Sequence, residues 1–319
     1  MSDKSNNNGR AFEFITLNIL NEEINKIRKA KILHNSSYEA AQSAWNQIPE
    51  QLQNNLRLSA IAAVYTIFDM EPLILDIDDN IVELNIQVDD EGKKGDVRDI
   101  LISRNNIQWV IGLSLKHNHF AVKHSRLSYK LDFGKEWFGV PCTKDYWEAV
   151  TPIFNNLKKL KAQKVQFDEL PNKEQIVYLP LLNAFMNEIK KQTAIDNTIP
   201  KKMITYLLGK FDFYKIISID HKQLAQIEGF NIYGTLNKPS KTTKPKIIVP
   251  IIDLPTRIVS FDYKPNSSTT VELYMDNGWQ FSFRIHNAEK IACPTLKFDI
   301  QIIGMPATIV NITSKWRNV

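Results

Sequence analysis

Gly95-Asp96-Val97-Arg98-Asp99-Ile100-Leu101-Ile102, followed closely by Trp109-Val110-Ile111-Gly112-Leu113-Ser114-Leu115-Lys116-His117-Asn118-His119, is the stretch on which the fold turns. Two compact apolar runs separated by the polar Ser103-Arg104-Asn105-Asn106 predict a β-hairpin. Alternation along the second strand turns Trp109, Ile111, Leu113 and Leu115 towards a core and places Ser114, Lys116 and Asn118 on the other face. An aspartate entering the first strand and a lysine leaving the second converge at one end of the sheet. The carboxylate offers hard oxygen to a divalent ion, and the lysine orients water and offsets phosphate charge. Asp99 is the first choice as ligand because Ile100-Leu101-Ile102 follows it directly, and Asp96 is the alternative. Taken alone this spacing is weak, since a solvated turn and a strand end produce it too.

Upstream, Phe12 to Ile27 repeats apolar residues at helical intervals and predicts an amphipathic helix started near Gly9. Tyr38 to Gln47 and Asn55 to Thr66 are helical, Ile81 to Val88 alternates as a strand, and Asp89 to Lys94 is a polar turn. Downstream, Phe120 to Leu131 returns to helical spacing, which puts Lys123, Arg126 and Lys130 on one face as a row able to meet successive backbone phosphates. An ordinary solvated face is the competing reading. The texture changes near residue 150, which divides the chain into 1–150 and 151–319. Lysine-rich helical stretches follow at Asn155 to Val165, Gln175 to Gln192 and Lys201 to Lys210, and then an exposed connector at Asn237 to Lys246. Phe281 to His286 and Leu296 to Ile302 alternate and predict two strands of one β-layer, with Ser282, Arg284 and His286 on one face of the first and Lys297, Asp299 and Gln301 on one face of the second. The fold class is α/β or α+β.

Composition narrows the function classes. The chain has 319 residues, 43% hydrophobic and 24% charged, as expected of one large or two ordinary globular domains. No apolar stretch is long enough for a membrane helix, and the polar Met1 to Arg10 lacks the apolar centre of a secretory signal, so a cytoplasmic protein with no membrane partner is expected. Cys142 and Cys293 match no CxxC spacing and are expected to be buried thiols. The glycines form neither a GxGxxG nor a GxxxxGK[ST] array, which disfavours Rossmann and P-loop chemistry. A net charge of +5 leans mildly towards a polyanionic partner.

At Lys94-Gly95-Asp96-Val97-Arg98-Asp99-Ile100-Leu101-Ile102, Gly112-Leu113-Ser114-Leu115-Lys116-His117-Asn118-His119 and Lys123-His124-Ser125-Arg126-Leu127-Ser128, the chain closely resembles the HaeIII-type type II restriction endonucleases. Phe281-Ser282-Phe283-Arg284-Ile285-His286-Asn287-Ala288 and Leu296-Lys297-Phe298-Asp299 add to the likeness, which spans Gly9 to about Pro306. The resemblance implies a PD-(D/E)xK restriction-endonuclease-like core in the first part and a β-rich recognition region in the second. It also implies Mg²⁺-dependent cleavage of double-stranded DNA, a GGCC site cut between G and C to blunt ends with 5′-phosphates, and a companion DNA methyltransferase.

One position departs from the general nuclease motif: Ser114 stands where an Asp or Glu precedes the lysine by two residues. A hydroxyl is a poor replacement for a carboxylate, so a metal site needs another acid, with Glu13 the first choice and Asp96 the second. The expected ligands are then Asp99, the Leu115 carbonyl and Glu13, with Lys116 positioning the water. Asn118 joins Lys123, Arg126 and Lys130 as an expected backbone contact. For an all-G·C site, guanine O6 and N7 and cytosine N4 call for Arg or Lys and Asp or Glu, and Arg284, His286, Lys297 and Asp299 are the expected readers. His117-Asn118-His119 spells HNH, but that motif is spread along a ββα unit and is not a contiguous tripeptide. Gly112-Leu113-Ser114-Leu115-Lys116 lacks the second glycine of a nucleophile elbow. The rivals are a repair or junction-resolving nuclease and a non-catalytic DNA-binding protein, and the need to cut two strands favours a homodimer.

Overall fold

The computed structural model describes residues 2–88 and 95–316, with nothing said of the side chains of residues 2–6 and 121, so the expected turn at Asp89 to Lys94 lies outside the described residues. In chain order the helices are α1 (Ser2–Asn25), α2 (Ser36–Gln47), α3 (Glu50–Met70), α4 (Phe133–Phe138), α5 (Lys144–Ala162), α6 (Leu179–Ile195) and α7 (Ile199–Leu208). The strands of one sheet are β1 (Ala30–Leu33), β2 (Val82–Ile86), β3 (Ile100–Arg104), β4 (Trp109–His117), β7 (Phe213–Ile219), β8 (Leu224–Phe230) and β13 (Val310–Lys315). Those of the other are β5 (Ala121–Lys123), β6 (Arg126–Ser128), β9 (Ile258–Tyr263), β10 (Thr270–Met275), β11 (Gln280–His286) and β12 (Thr295–Gly304). The protein is thus a mixed α/β protein, consistent with a restriction-endonuclease fold. No helix among the described residues is long and apolar enough to cross a membrane.

Each sheet organises a compact unit, one made of Met1–Phe120, Gly209–Asp253 and Ala307–Val319, the other of Ala121–Leu208 and Leu254–Pro306. A single division near residue 150 does not describe this arrangement. The reason is strand pairing: β7 pairs parallel with β4 and carries residues 213–219 into the first sheet, while β5 and β6 pair with β12 in the second.

In the first unit the strand order is β1-β2-β3-β4-β7-β8-β13. The β3–β4 hairpin forms as the alternation requires, closed by a 3-10 turn and by Gln108 in the left-handed region at φ 51°. β7 and β8 repeat the same device, with Gln223 at φ 53°. Ile111, Leu113 and Leu115 share one core with Phe12 and Ile15 of α1, Leu56, Ala60 and Ala63 of α3, and Tyr214 and Ile216 of β7. Each fully buried Ile or Leu contributes about 1.5–3 kcal/mol, so this side of β4 anchors the hairpin. The first helix begins at Ser2 rather than near Gly9, and Gly9 lies within it in open space. The connector at Asn237 to Lys246 is irregular as expected, but it lies inside this unit and is tied to α3 by Lys246, whose ammonium donates to Asp69 at 2.6 Å.

The second unit has the order β5-β12-β11-β10-β9, with β6 also on β12, and all its pairs are antiparallel. The two strands expected at 281–286 and 296–302 pair as β11 and β12 in one layer. Their apolar face carries Phe283 and Phe298, which meet Phe185 of α6 at 5.7 and 4.9 Å between ring centroids. Trp137 of α4 stacks near Phe283 at 6.0 Å and on Tyr206 of α7 at 5.0 Å. The helix expected over Phe120 to Leu131 is absent: the segment forms β5 and β6 instead, because it zips onto the edge of β12. Both cysteines are free and buried, and burial beside Asp132 pushes the Cys142 thiol up.

Candidate active site

Asp99 sits where the chain enters β3, and its own N–H donates to the Leu113 carbonyl at 2.7 Å. Its Oδ2 accepts the Leu115 N–H at 2.6 Å, the Ser114 hydroxyl at 3.3 Å and the Lys116 ammonium at 3.3 Å. Asp99 and Lys116 keep 25% and 29% of their side chains exposed, so the pair is fixed by the sheet yet open to a ligand. The three donors converge on Oδ2, and Oδ1 takes none of these three bonds. The amide and carbonyl of a strand residue face the same side, so the Leu115 carbonyl is directed to the side of β4 on which its N–H meets Asp99. A carboxylate oxygen and a backbone carbonyl form a hard, all-oxygen donor set that suits Mg²⁺ or a similar divalent ion.

Asp96, the alternative ligand, is engaged differently. It is 8% exposed and receives Arg98 in bidentate fashion, Nε at 2.8 Å and Nη2 at 2.7 Å, with the Arg98 N–H at 3.1 Å besides. Burial alone would raise its carboxyl, but these bonds hold it below the usual range. Arg98 in turn lies 3.9 Å over the Phe211 ring and directly across Gly112, where an added Cβ would stand 2.0 Å from its Cδ. Only glycine at 112 leaves room for the Arg98 side chain on this face.

A second pair of charges occupies the same face and was not anticipated. Ser114 is in register with Lys215 of β7, and Lys215 with Glu228 of β8. The Lys215 ammonium donates to the Phe120 carbonyl at 3.1 Å and stands 3.7 Å from Glu228 Oε2, with both side chains almost wholly buried. Burial pushes the Lys215 pKa down, Glu228 opposes this, and the nearby Lys116 charge adds to the lowering. A charged residue in the apolar run Phe213 to Ile219, and another in Leu224 to Phe230, is the signal that sequence reading passed over.

The HNH letters lie apart from this pair. His117 Nε2 is 2.9 Å from Asp220 Oδ2, and its Nδ1 is 3.4 Å from Asn8 Nδ2 of α1. Asn118, in the left-handed region at φ 51°, accepts the Asp220 N–H at 3.0 Å. Both imidazole nitrogens and the Asn118 carbonyl oxygen therefore brace the end of β4. Burial would raise the Asp220 carboxyl, but His117 holds it below its usual range. Glu13 is half-buried on α1, in the helical layer packed on the Leu113 and Leu115 side of the sheet.

In the second unit, the row Arg126, Lys297 and His286 runs across β6, β12 and β11, and Arg284 faces Asp299 at 3.5 Å in the neighbouring row. Burial, with the Arg284 and Lys297 charges beside it, pushes the His286 imidazole down. Arg126 and Lys130 are exposed. Lys123 differs, because in β5 it is in register with Ile300 on the apolar side of β12. Its ammonium donates to the Tyr206 carbonyl at 2.7 Å and lies 3.6 Å over the Tyr206 ring, and burial lowers its pKa to about 8. The three basic residues thus do not share one face.

Comparison with known proteins agrees with this architecture. The model of the HaeIII restriction endonuclease family matches residues 9–306. The type II restriction enzyme HaeIII of Haemophilus aegyptius is 51% identical over 317 residues, covering 99% of each chain. No solved structure matches. The chain is therefore a member of the HaeIII restriction endonuclease family, a site-specific DNA endonuclease of the type II class.

Proposed function

We propose that this protein is a type II site-specific deoxyribonuclease that cuts both strands of GGCC between G and C, leaving blunt ends with 5′-phosphates, with Mg²⁺ as the working ion. The observation that carries the chemistry is the Asp99 carboxylate 3.3 Å from the Lys116 ammonium at the end of β3 and β4, in a chain of this family. Asp99 and the Leu115 carbonyl would hold the ion, which when bound supplies Lewis-acid stabilisation of charge on the phosphoryl group. Lys116 orients a water for in-line attack on phosphorus and offsets the charge that gathers there. A P–O bond forms to the water oxygen as the P–O3′ bond breaks, the water's proton passes to bulk solvent, the 3′ oxygen takes a proton from solvent, and the phosphate stays on the 5′ end. Ser114 donates to Asp99 and keeps its carboxylate turned towards Lys116. The geometry favours Asp99 over Asp96 for this role, since Arg98 occupies both Asp96 oxygens. Digestion of a plasmid with Mg²⁺ and sequencing of the fragment ends tests the proposal: breaks at the centre of every GGCC support it, and breaks at four-way junctions only, or none, refute it.

Glu13 is proposed as a further acid for the ion, supplying charge that Ser114 lacks. Glu13→Ala should then raise the Mg²⁺ concentration required for half-maximal cutting, and an unchanged titration would assign that acid elsewhere. A palindromic site and two cuts suit a symmetric homodimer, and a methyltransferase modifying the same site in the cytoplasm would protect the host DNA.

Recognition is proposed for the polar face of β11 and β12, where Arg284, His286, Lys297 and Asp299 present donors and an acceptor suited to G·C edges. Backbone contact is proposed for the exposed Arg126 and Lys130 together with Asn118, without Lys123, whose ammonium is already engaged by Tyr206. Arg284→Ala should weaken cognate binding by about 1–3 kcal/mol and random duplex much less. Arg126→Ala should weaken both alike and flatten the salt dependence. Equal losses for both variants on both duplexes would move the reading surface away from these strands.

A further inference from the structure

We propose that Lys215, held in place by Glu228, is a positioning residue for Lys116; the proposal rests on the nuclease reading above. Ser114, Lys215 and Glu228 form one row across β4, β7 and β8, on the face that carries Lys116. Lys215 and Glu228 are 4% and 1% exposed, inside strands whose neighbouring residues are apolar. A buried ion pair is a weak source of stability, and apolar side chains of similar volume serve as well or better, so stability alone does not account for it.

The contacts of Lys215 point to Lys116. Its ammonium binds the carbonyl of Phe120, four residues beyond Lys116, and so ties the segment leaving β4 back to β7. The Asn118 N–H reinforces this tie by donating to the Ser218 carbonyl at 2.9 Å. Glu228 is itself held, its Oε1 accepting Gln226 Nε2 at 2.7 Å while Oε2 faces Lys215. The result is a fixed buried cation on the Lys116 face. Like charges repel, and of the two lysines only Lys116 has the exposure to yield, so repulsion from Lys215 and attraction to Asp99 act in the same direction. An acid at position 114 would lie beside Lys215 and neutralise it. With serine there, Lys215 finds its counter-charge on the other side, at Glu228 of β8, and keeps its ammonium on the Lys116 face.

The test compares a double replacement, Lys215→Met with Glu228→Leu, against the parent. Melting temperature, affinity for a GGCC duplex without divalent metal, and single-turnover cleavage with Mg²⁺ are measured. Removal of both charges together should leave melting within a few degrees and affinity within about twofold, while the cleavage rate falls at least about thirtyfold. Parental cleavage in the double variant overturns the proposal and leaves the nuclease reading intact, whereas a parent that never cuts the duplex takes both down. Single variants decide the matter even if the double variant fails to fold. Lys215→Arg keeps the charge and should cleave within about fivefold of the parent, while Lys215→Gln should not. Equal losses in these two overturn the proposal.

Discussion

Replacing Lys116 with alanine is expected to slow single-turnover cleavage at least about a hundredfold while DNA affinity stays within a few-fold. The ammonium is 3.3 Å from Asp99 and 29% exposed, so its loss removes charge from the reacting end of the sheet without opening a cavity in the core. Leu113 and Leu115, which hold β4 to the helical layer, point the other way and are untouched. Quenched-flow cleavage of an end-labelled duplex, with a melting curve to confirm folding, gives the comparison. Near-parental turnover in a folded Lys116→Ala protein would remove the residue from the mechanism.

Asp99→Ala and Asp96→Ala are expected to fail in different ways, and the contrast separates catalysis from structure. Asp99→Ala removes the carboxylate at the sheet end and should lower the rate by about a hundredfold or more, a loss on the scale of removing a group that stabilises transition-state charge. Its melting temperature should change little, since the side chain is a quarter exposed. Asp96→Ala leaves Arg98 buried with its bidentate partner gone, at a cost of about 3–5 kcal/mol in stability. Below its melting transition, a folded Asp96→Ala protein should still cut. An active Asp99→Ala protein beside an inactive, stably folded Asp96→Ala protein would reverse the two roles.

The parts of the fold legible in the sequence are those specified locally. The β3–β4 hairpin announces itself through two apolar runs around a polar turn, and β11 and β12 through strict alternation, because one face of each is apolar and the other polar. The place of Asp99 and Lys116 at one end of that hairpin follows from the same pattern, while their reading as a site draws also on the resemblance to the restriction endonucleases. The Phe120 to Leu131 segment misleads because three strand residues on each side of a bend fit a helical spacing as well as an alternating one, and pairing with β12, far along the chain, decides between them. Strand β7 escapes for a different reason. All seven of its residues are buried, so it shows an apolar run without a period, and its pairing with β4 joins residues about a hundred positions apart. Lys215 and Glu228 belong to the site only through that pairing. The start of α1 is likewise hidden, since a polar first turn has no apolar stripe to mark it.

A crystal structure with a GGCC duplex and Ca²⁺, a non-catalytic stand-in for Mg²⁺, would show whether phosphodiester hydrolysis takes place at Asp99 and Lys116. The expected result is a cation bound by Asp99 and the Leu115 carbonyl, with the phosphate between the central G and C next to the Lys116 ammonium. A scissile phosphate seated elsewhere, against His117 and Asp220 for example, with Asp99 still bonded only to Leu115, Ser114 and Lys116, would contradict it.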